Sequence, residues 1–454
     1  MARDDDPPPA KRPRTDCTGT SSNDGEPPPA KRPRTDCTGT SPIDSLPGDL
    51  LREIFLRVDP LPDLVRAASA CRGWRDAVVS FPPFRRHFIK RHQAPLLGFF
   101  FDPPSRDVPS IPSFAPARWN DPMLVAALSR GDFLLTSLQR RPLLVEPSWF
   151  VLDARGGYLL LIKWDEGSEG LLALLNPLER RQRFFDVDDI RIFDDGDRLS
   201  TRHFLRGGLI LDEENPERFD IFCVASQGDF RLRAAVFSSA RADAMPMDGG
   251  WILSSWLEVQ HPVDPAIDGG TWLWPDSGMR AGRFIYWPYM DGRHVLVLDP
   301  THPVTPRLFL ERITFPDGLD RAEFGRYIIG ETRNGMMSIA YTDGFTVVLM
   351  ARLEDGWAAG TWTPVDRFDL TDELVIMLGQ LPAEDELELV AMRGTILYYT
   401  TSQMYHPSHN SCWFASLCLE TGQGEWLFAR AYDAFVQPYN HLSWPSFLKA
   451  TTKG

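Results

Sequence analysis

The sequence predicts an α+β multidomain protein in which a small three-helix domain precedes a large all-β domain. Apolar residues follow helical spacing between residues 43 and 80, whereas helical periodicity is scarce after residue 95. Short runs of aromatic and β-branched residues then recur about every 60 residues, separated by turns. This repeat predicts a six-bladed β-propeller, because four-stranded units bury both faces only when they stack around an axis.

Composition limits the classes of function. The formal net charge of −14 argues against broad binding to nucleic acid, which requires a basic face. Six cysteines in 454 residues do not form a disulfide framework. No apolar run approaches the roughly 18 residues needed to cross a bilayer, so no membrane partner is expected. The N-terminus, MARDDDPPPA, is acidic and proline-rich and does not resemble a secretory signal, so an intracellular protein is expected.

The N-terminal segment contains an identical duplication. PPPAKRPRTDCTGT occupies residues 7–20 and again residues 27–40. The segment has almost no large apolar side chain to bury, so residues 1–41 are predicted to be a disordered tail. Each copy carries a basic cluster of the kind that nuclear import receptors bind, with a solvated linker as the alternative. The candidate import residues are Lys11, Arg12, Arg14, Lys31, Arg32 and Arg34. We therefore expect the protein in the nucleus and the cytoplasm.

Residues 42–88 form the predicted helical domain. The first helix begins at Pro47, which suits a first helical position, and Asp59-Pro60 ends it. Its apolar stripe contains Leu50, Leu51, Ile54, Phe55 and Val58. A second helix follows, and a third contains Trp74 and ends before Phe81-Pro82-Pro83. Three short helices cannot build a self-sufficient core, so this domain should keep an apolar surface for a partner.

Three segments of this domain resemble the F-box in order and spacing: Leu46-Pro47-x-Asp49-Leu50-Leu51-x-Glu53-Ile54-Phe55, Asp63-Leu64-Val65-Arg66 and Cys71-Arg72-x-Trp74-Arg75. In the F-box family these helices dock on the Skp-type adaptor of a Skp–cullin–F-box ligase. The resemblance implies that the adaptor interface or its support consists of Leu46, Pro47, Leu50, Leu51, Ile54, Phe55, Leu64, Val65 and Trp74. Gly73 departs from a good helical sequence, at a cost of roughly 1 kcal/mol relative to Ala.

Residues 94–454 form the predicted β domain. Two features of its sequence, the strand starts and the tight turns, give the period of the repeat. Strand-like runs begin near Gly98, Gly157, Arg218, Gly282, Gly335 and Gly394. Tight turns after an apolar run fall at Asn176-Pro177, Asp299-Pro300 and Glu420-Thr421. The intervals between strand starts vary from 53 to 64, so seven shorter blades or a β-sandwich remain alternatives. The arrangement is similar to the kelch-like, β-propeller-like C-terminal regions of plant-type F-box proteins, and their substrates do not carry over from it.

A C-terminal segment is expected to close the ring. The first repeat, near Phe99–Phe101, lacks a strand, and the apolar run HLSWPSFL at residues 441–448 follows the sixth repeat. We expect residues 443–449 to complete the first blade, because an open ring would leave two unpaired strand edges. Pro445 lacks an N–H group, so it is expected on an outer edge or just before the strand.

No constellation in the sequence indicates catalysis or a metal site. His406, His409, Cys412 and Cys418 do not form the two close ligand pairs of a zinc site. The acidic stretch FDVDDIRIFDDGDR lacks the alternation and the closing glutamate of a calcium loop. The motifs of hydrolases, phosphate-binding loops and metalloproteases are not found. We therefore predict no catalytic residue, no metal and no cofactor.

These observations favour the substrate-recognition subunit of a Skp–cullin–F-box E3 ubiquitin ligase. The helical domain is expected to bind the adaptor and thereby the cullin scaffold, and the β domain to bind a protein target. Such a protein acts by proximity and is not itself an enzyme. One alternative is a propeller enzyme acting on a small molecule, with the F-box controlling its turnover. Another is a nuclear nucleic-acid binder, which the negative net charge opposes. The sequence reveals neither the target nor the face of the β domain that binds it.

Overall fold

The computed structural model describes most of the chain from residue 46 onward. The described residues are 46–58, 61–91, 94–103, 110–118, 122–138, 148–163, 171–186, 192, 202–211, 218–227, 231–244, 250–259, 278–288, 294–302, 305–312, 327–331, 337–352, 362–379, 381, 387–401, 412–430 and 435–440. The described residues do not include either basic cluster of the tail, His406, His409 or the expected closing strand at 443–449. Within the described residues, no helix is both long enough and apolar enough to cross a membrane.

Four helices come first in the described chain: α1 (Gly48–Phe55), α2 (Leu61–Ala70), α3 (Arg72–Val79) and α4 (Pro82–Arg91). Helix α3 is central, because α1, α2 and α4 all pack against it. Their buried apolar side chains are Leu51, Phe55, Leu64, Ala68, Ala77, Val78, Phe84 and Phe88. The sequence analysis expects three helices and a stop at Pro82-Pro83, whereas the structure begins α4 there. Proline is compatible with a first helical turn, whose N–H groups have no helical partner in any case.

The described strands form six antiparallel sheets, which are the blades of a β-propeller. The first blade contains β1 (Leu96–Phe101) and β2 (Ser113–Pro116), and helix α5 (Pro122–Arg130) follows it. The second blade consists of β3 (Trp149–Arg155), β4 (Tyr158–Lys163), β5 (Leu171–Asn176) and β6 (Arg181–Asp186). The third consists of β7 (Arg202–Leu211), β8 (Phe219–Gln227), β9 (Arg231–Ser238), β10 (Trp251–Leu253) and β11 (Leu257–Glu258), with α6 (Ser239–Ala244) after β9.

The last three blades each contain four strands in chain order. The fourth consists of β12 (Met279–Ala281), β13 (Phe284–Pro288), β14 (His294–Asp299) and β15 (Arg307–Arg312). The fifth consists of β16 (Ile328–Glu331), β17 (Met337–Asp343), β18 (Thr346–Arg352) and β19 (Trp362–Asp369), followed by α7 (Thr371–Leu378). The sixth consists of β20 (Leu387–Arg393), β21 (Ile396–Thr401), β22 (Cys412–Cys418) and β23 (Gly424–Arg430). Six blades confirm the predicted propeller and remove the seven-blade and sandwich alternatives.

The ring is closed by β24 (Val436–Asn440), which pairs antiparallel with β1. Strand β24 also packs against β3 and β20, the first strands of the two neighbouring blades, so it is the innermost strand of the first blade. Closure by a C-terminal strand agrees with the expectation, and the described strand that provides it is β24; the expected residues 443–449 lie outside the described residues. Pro438 lies within β24, and proline is tolerated in a strand only where its missing N–H is not needed by a neighbour. Among the described strands, β24 pairs only with β1, so the missing N–H is tolerated.

Successive side chains of β1 face two different blades. Phe100 packs with Trp149 and Leu161 of the second blade, whereas Phe99 and Phe101 pack with Phe414 of the sixth. This follows from the alternation of side chains along a strand. Further apolar layers join the second blade to the third, the third to the fourth, and the fourth to the fifth and sixth. The core is therefore a set of layers between blades, which explains the high content of short apolar runs.

Both sequence landmarks have a structural meaning. The six predicted strand starts fall within two residues of the beginning of the second strand of each blade, namely β1, β4, β8, β13, β17 and β21. The turns at Asn176, Asp299 and Glu420 connect the third and fourth strands of alternate blades. Buried Asn176 accepts the N–H of Glu179 at 3.1 Å, and buried Asp299 accepts the N–H of Thr301 at 3.1 Å. These side chains hold the turns by local hydrogen bonds.

Candidate functional site

Helix α1 presents an apolar face to solvent. Leu50 is 52% exposed and Ile54 is 48% exposed. Pro47, which precedes the helix, is also exposed. Positions 47, 50 and 54 are three and four residues apart, so they follow one side of the helix. This row of Pro47, Leu50 and Ile54, called here the α1 stripe, is an apolar surface that nothing in the described helical domain covers.

A buried layer lies beneath the α1 stripe. Leu51 and Phe55 point inward and are 7% and 3% exposed. The ring of Phe55 meets Trp74 of α3 edge-on, with ring centroids 5.6 Å apart. The indole N–H of Trp74 is buried and has no acceptor among the described residues. Leu64 of α2 is fully buried, and both α1 and α2 pack against α3.

Charged side chains border the α1 stripe. Asp49 pairs with Arg52, and Glu53 pairs with Arg57 at 2.6 Å, both along α1. The guanidinium of Arg52 also lies 4.7 Å from the ring centroid of Phe81, which is 39% exposed. The sequence analysis missed Phe81, because it treated Phe81-Pro82-Pro83 only as a helix stop. An aromatic residue immediately before two prolines was the observation that could have identified it.

The nine predicted interface residues divide by exposure. Pro47, Leu50 and Ile54 are exposed, whereas Leu51, Phe55 and Leu64 are buried; Leu46, Val65 and Trp74 are intermediate. Residues of the first group can contact a partner directly, and those of the second can only support the surface. Their role in adaptor binding stays a prediction. The same holds for import by Lys11, Arg12, Arg14, Lys31, Arg32 and Arg34, which lie outside the described residues.

The propeller offers a cleft of about 480 Å³ beside α5, lined by Leu128, Asp132, Thr136 and Arg180 among others. Burial by itself would raise the pKa of Asp132, but hydrogen bonds from Thr136 and Ser137 hold it below its ordinary value. Those bonds occupy both carboxylate oxygens, so Asp132 organises its own loop.

The two cysteines of the candidate zinc cluster are held apart. Cys412 and Cys418 are the first and last residues of β22. Six residues of extended strand span roughly 20 Å. A zinc–sulfur bond is only about 2.3 Å long, so the two thiolates cannot share one ion. No group of three metal-ligating side chains occurs within the described residues.

Comparison with solved structures gives distant similarities. The fission yeast SREBP–SCAP binding domains align at 10% identity and a TM-score of 0.31, covering 62% of this chain and 62% of that chain. A putative 6-phosphogluconolactonase from Bacteroides fragilis aligns at 11% identity and a TM-score of 0.30, covering 64% and 83%. The periplasmic gluconolactonase of Pseudomonas aeruginosa aligns at 13% identity and a TM-score of 0.29, covering 63% and 69%. Similarities this distant carry no argument about function.

Comparison with family models identifies the helical domain. No curated protein sequence matches the chain. The F-box-like family model matches residues 43–90, which include α1, α2, α3 and nearly all of α4. The matched residues also include the α1 stripe and the buried layer beneath it. Six blades follow this domain in the described part of the chain. The chain therefore contains an F-box-like domain at residues 43–90, and the domain that follows it is a β-propeller.

Proposed function

We propose that the chain is the substrate-recognition subunit of a Skp–cullin–F-box ubiquitin ligase. The F-box-like domain binds a Skp-type adaptor, which connects it to the cullin scaffold, and the propeller binds the protein to be ubiquitinated. The observation that supports this most is the exposed α1 stripe within a domain that matches the F-box-like model.

The α1 stripe is suited to a stable interface. Full burial of a leucine or isoleucine contributes about 1.5–3 kcal/mol, so each half-exposed side chain can still contribute roughly 1 kcal/mol. Leu51 and Phe55 fix the helix from below, so little conformational freedom is lost on binding. The bordering charges of Asp49, Arg52, Glu53 and Arg57 can form a polar rim around this apolar centre.

The ligase reaction requires no chemistry from this chain. Binding a target close to a charged partner enzyme converts a bimolecular transfer into a nearly intramolecular one, which can supply several kcal/mol of barrier reduction. A rigid propeller suits this role, because a target held at one position keeps its lysines near that enzyme. We therefore propose recognition alone, without catalysis, as the role of the β domain.

Adaptor binding is tested by Ile54→Glu in the full chain. Ile54 is 48% exposed, so the variant should fold, but its carboxylate would be buried in the complex. An unpaired buried charge costs several kcal/mol, and each 1.4 kcal/mol weakens binding tenfold. We expect co-purification with a Skp-type adaptor to be lost. Changing Leu46 and Pro47 together to Ala should also weaken it.

Ile376→Glu is the matched control. Ile376 is 83% exposed on α7 of the propeller, so the control introduces the same charge at an exposed apolar position outside the F-box-like domain. It should bind the adaptor as the parent does. Tight adaptor binding by the Ile54→Glu variant would refute the proposed interface.

Target recognition is tested by comparing proteins captured by the parent and by Ile54→Glu while the proteasome is inhibited. Both should capture the same propeller-bound proteins, because Ile54 lies outside the propeller. Only the parent should capture them in ubiquitinated form. Equal ubiquitination with both chains would show that this protein is not the ligase subunit responsible.

A further inference from the structure

Polar side chains from several blades meet at the axis of the propeller. Asp153 and Arg155 come from β3 of the second blade, and Arg393 comes from the end of β20 in the sixth. Arg155 Nη2 donates to the carbonyl of Gly278, next to β12 of the fourth blade, at 3.4 Å. Arg393 Nη2 lies 3.5 Å from Asp153 Oδ1. The second blade is not a ring neighbour of the fourth or the sixth, so these contacts cross the central channel.

Asp153 already accepts three hydrogen bonds from other donors. Its Oδ1 accepts the N–H of Ala154 at 2.8 Å, and its Oδ2 accepts the N–H of Leu209 at 3.0 Å. Arg155 Nε donates to the same Oδ2 at 3.0 Å. Asp153 is 1% exposed, so this carboxylate is a structural part of the axis, and Arg393 shares it with these three donors.

Arg393 is correspondingly weakly held. Among the described residues, its Nη2 has only the long contact to Asp153 and another of 3.3 Å to Gln437 Oε1. Its Nε is buried and has no acceptor among the described residues. Good N–H to oxygen bonds to a charged group measure about 2.7–2.9 Å. The guanidinium can therefore turn toward a better acceptor without losing a strong bond.

Two further guanidiniums lie near Arg393. Burial, and then the neighbouring Arg155, lower the pKa of Arg393 to about 10, and Arg280 of β12 acts in the same direction. Glu331 of β16 is a second carboxylate at this end of the axis, where it accepts the N–H of Gly282 at 2.9 Å. Among the described residues, three guanidiniums and two carboxylates therefore lie at this end of the axis.

We propose that this end of the channel binds a small oxyanion, a phosphate or a carboxylate group, through Arg393 and Arg155. The planar guanidinium presents two parallel N–H donors that match the oxygens of such a group. The Arg393 and Arg155 side chains are 18% and 16% exposed, so both retain some contact with solvent. This site is independent of the F-box-like domain and of adaptor binding.

Calorimetric titration of the full chain in low-chloride buffer tests the site. Inorganic phosphate and acetate are titrated separately, which distinguishes the two chemistries. We expect saturable binding of one anion per chain for at least one of them. Arg393→Met should weaken it about tenfold or more, since charge-assisted hydrogen bonds are lost. Arg181→Met, which removes a 66% exposed guanidinium on β6, should leave it unchanged.

Arg393→Lys covers the case in which Arg393→Met fails to fold. Lysine keeps the positive charge but lacks the paired donors, so it should bind the anion more weakly than the parent. Parent-like affinity in a folded Arg393 variant would overturn the proposal. So would the absence of saturable binding of both phosphate and acetate by the parent chain.

Discussion

Two buried tyrosines of the propeller differ in what their hydroxyl groups contact. Tyr439 of β24 is fully buried and donates to the carbonyl of Gly157, in the turn of the second blade, at 2.6 Å. Tyr399 of β21 is 1% exposed, and its hydroxyl has no partner among the described residues. Burial raises the pKa of both phenols above the ordinary value near 10. Comparing the two tyrosines therefore separates the effect of a hydrogen bond on stability from the effect of burial.

Tyr439→Phe should lower the free energy of unfolding by about 1–3 kcal/mol at pH 7, because it leaves the buried Gly157 carbonyl without its donor. Tyr399→Phe should cost much less or stabilise the chain, since it removes a hydroxyl that lacks a partner. Urea unfolding of both variants measures the difference. Equal losses would show that the hydroxyl of Tyr439 contributes only packing.

Stability should also fall at alkaline pH. Above about pH 10 the unfolded chain loses its phenolic protons, whereas the buried phenols of the folded chain keep theirs because their pKa is raised. The unfolded state then binds fewer protons, so the free energy of unfolding decreases as pH rises. The stability that the raised phenol pKa values contribute is fully present below about pH 10 and is lost as the pH rises further.

Tyr439→Phe supplies the test of this pH dependence. The variant has one raised phenol fewer, so its free energy of unfolding should fall less steeply above pH 10 than that of the parent. The difference in free energy of unfolding between the parent and Tyr439→Phe should therefore become smaller as the pH rises. A constant gap between pH 8 and pH 11 would contradict the assignment to Tyr439.

At the scale of elements, β24 determines whether the first blade has an inner strand. It pairs with β1 from Leu96↔Asn440 to Phe101↔Val436, and Tyr439 joins it to the second blade. Two truncations separate this strand from the residues after it. Deleting residues 436–454 should lower the melting temperature and solubility of the propeller far more than deleting residues 441–454 does.

The reason is the exposed edge that the longer truncation creates. Without β24, the inner edge of β1 is unpaired, and an unpaired edge is a template for aggregation. Both truncations should keep adaptor binding if the F-box-like domain folds independently. Equal melting temperatures for the two truncations would mean that β24 does not close the ring in solution.

The elements differ in how far the sequence predicts them. Second strands such as β4 and β13 were predictable because a glycine or turn precedes a continuous buried run. Inner strand β24 was not, because Gln437 and Pro438 interrupt its apolar pattern. Gln437 is buried beside the polar axis, so a polar residue is satisfied there. Helix α4 was missed because a proline pair can begin a helix as well as end one.

The candidate interface was predictable as a set of residues but not as a surface. Helical spacing groups Leu50, Leu51, Ile54 and Phe55 on one broad face. Only the packing of α1 on α3 shows that Leu51 and Phe55 are inside and that Leu50 and Ile54 remain outside. The axial cluster was not predictable, because Asp153, Arg155 and Arg393 come together only when the ring closes.

For the whole molecule, we propose that the duplicated tail directs nuclear import. Two identical clusters are redundant, so changing Lys11, Arg12 and Arg14 to Ala should leave import largely intact. Changing both clusters should keep the protein in the cytoplasm. Fluorescence imaging of tagged variants measures the distribution, with the parent tail as reference. Unchanged nuclear signal in the double-cluster variant would reduce the tail to a linker.

Closure of the ring by β24 has a consequence for synthesis on the ribosome. Strand β1 is translated early, but its inner partner follows more than 300 residues later. At about 5–20 residues per second, that delay is roughly 20 seconds to a minute. The F-box-like helices emerge before β1, so a partner could bind them while the propeller is still incomplete. An adaptor that bound this early would hold a nascent chain whose β1 edge is open, and assembly of the complex would then precede folding of the domain that recognises the target.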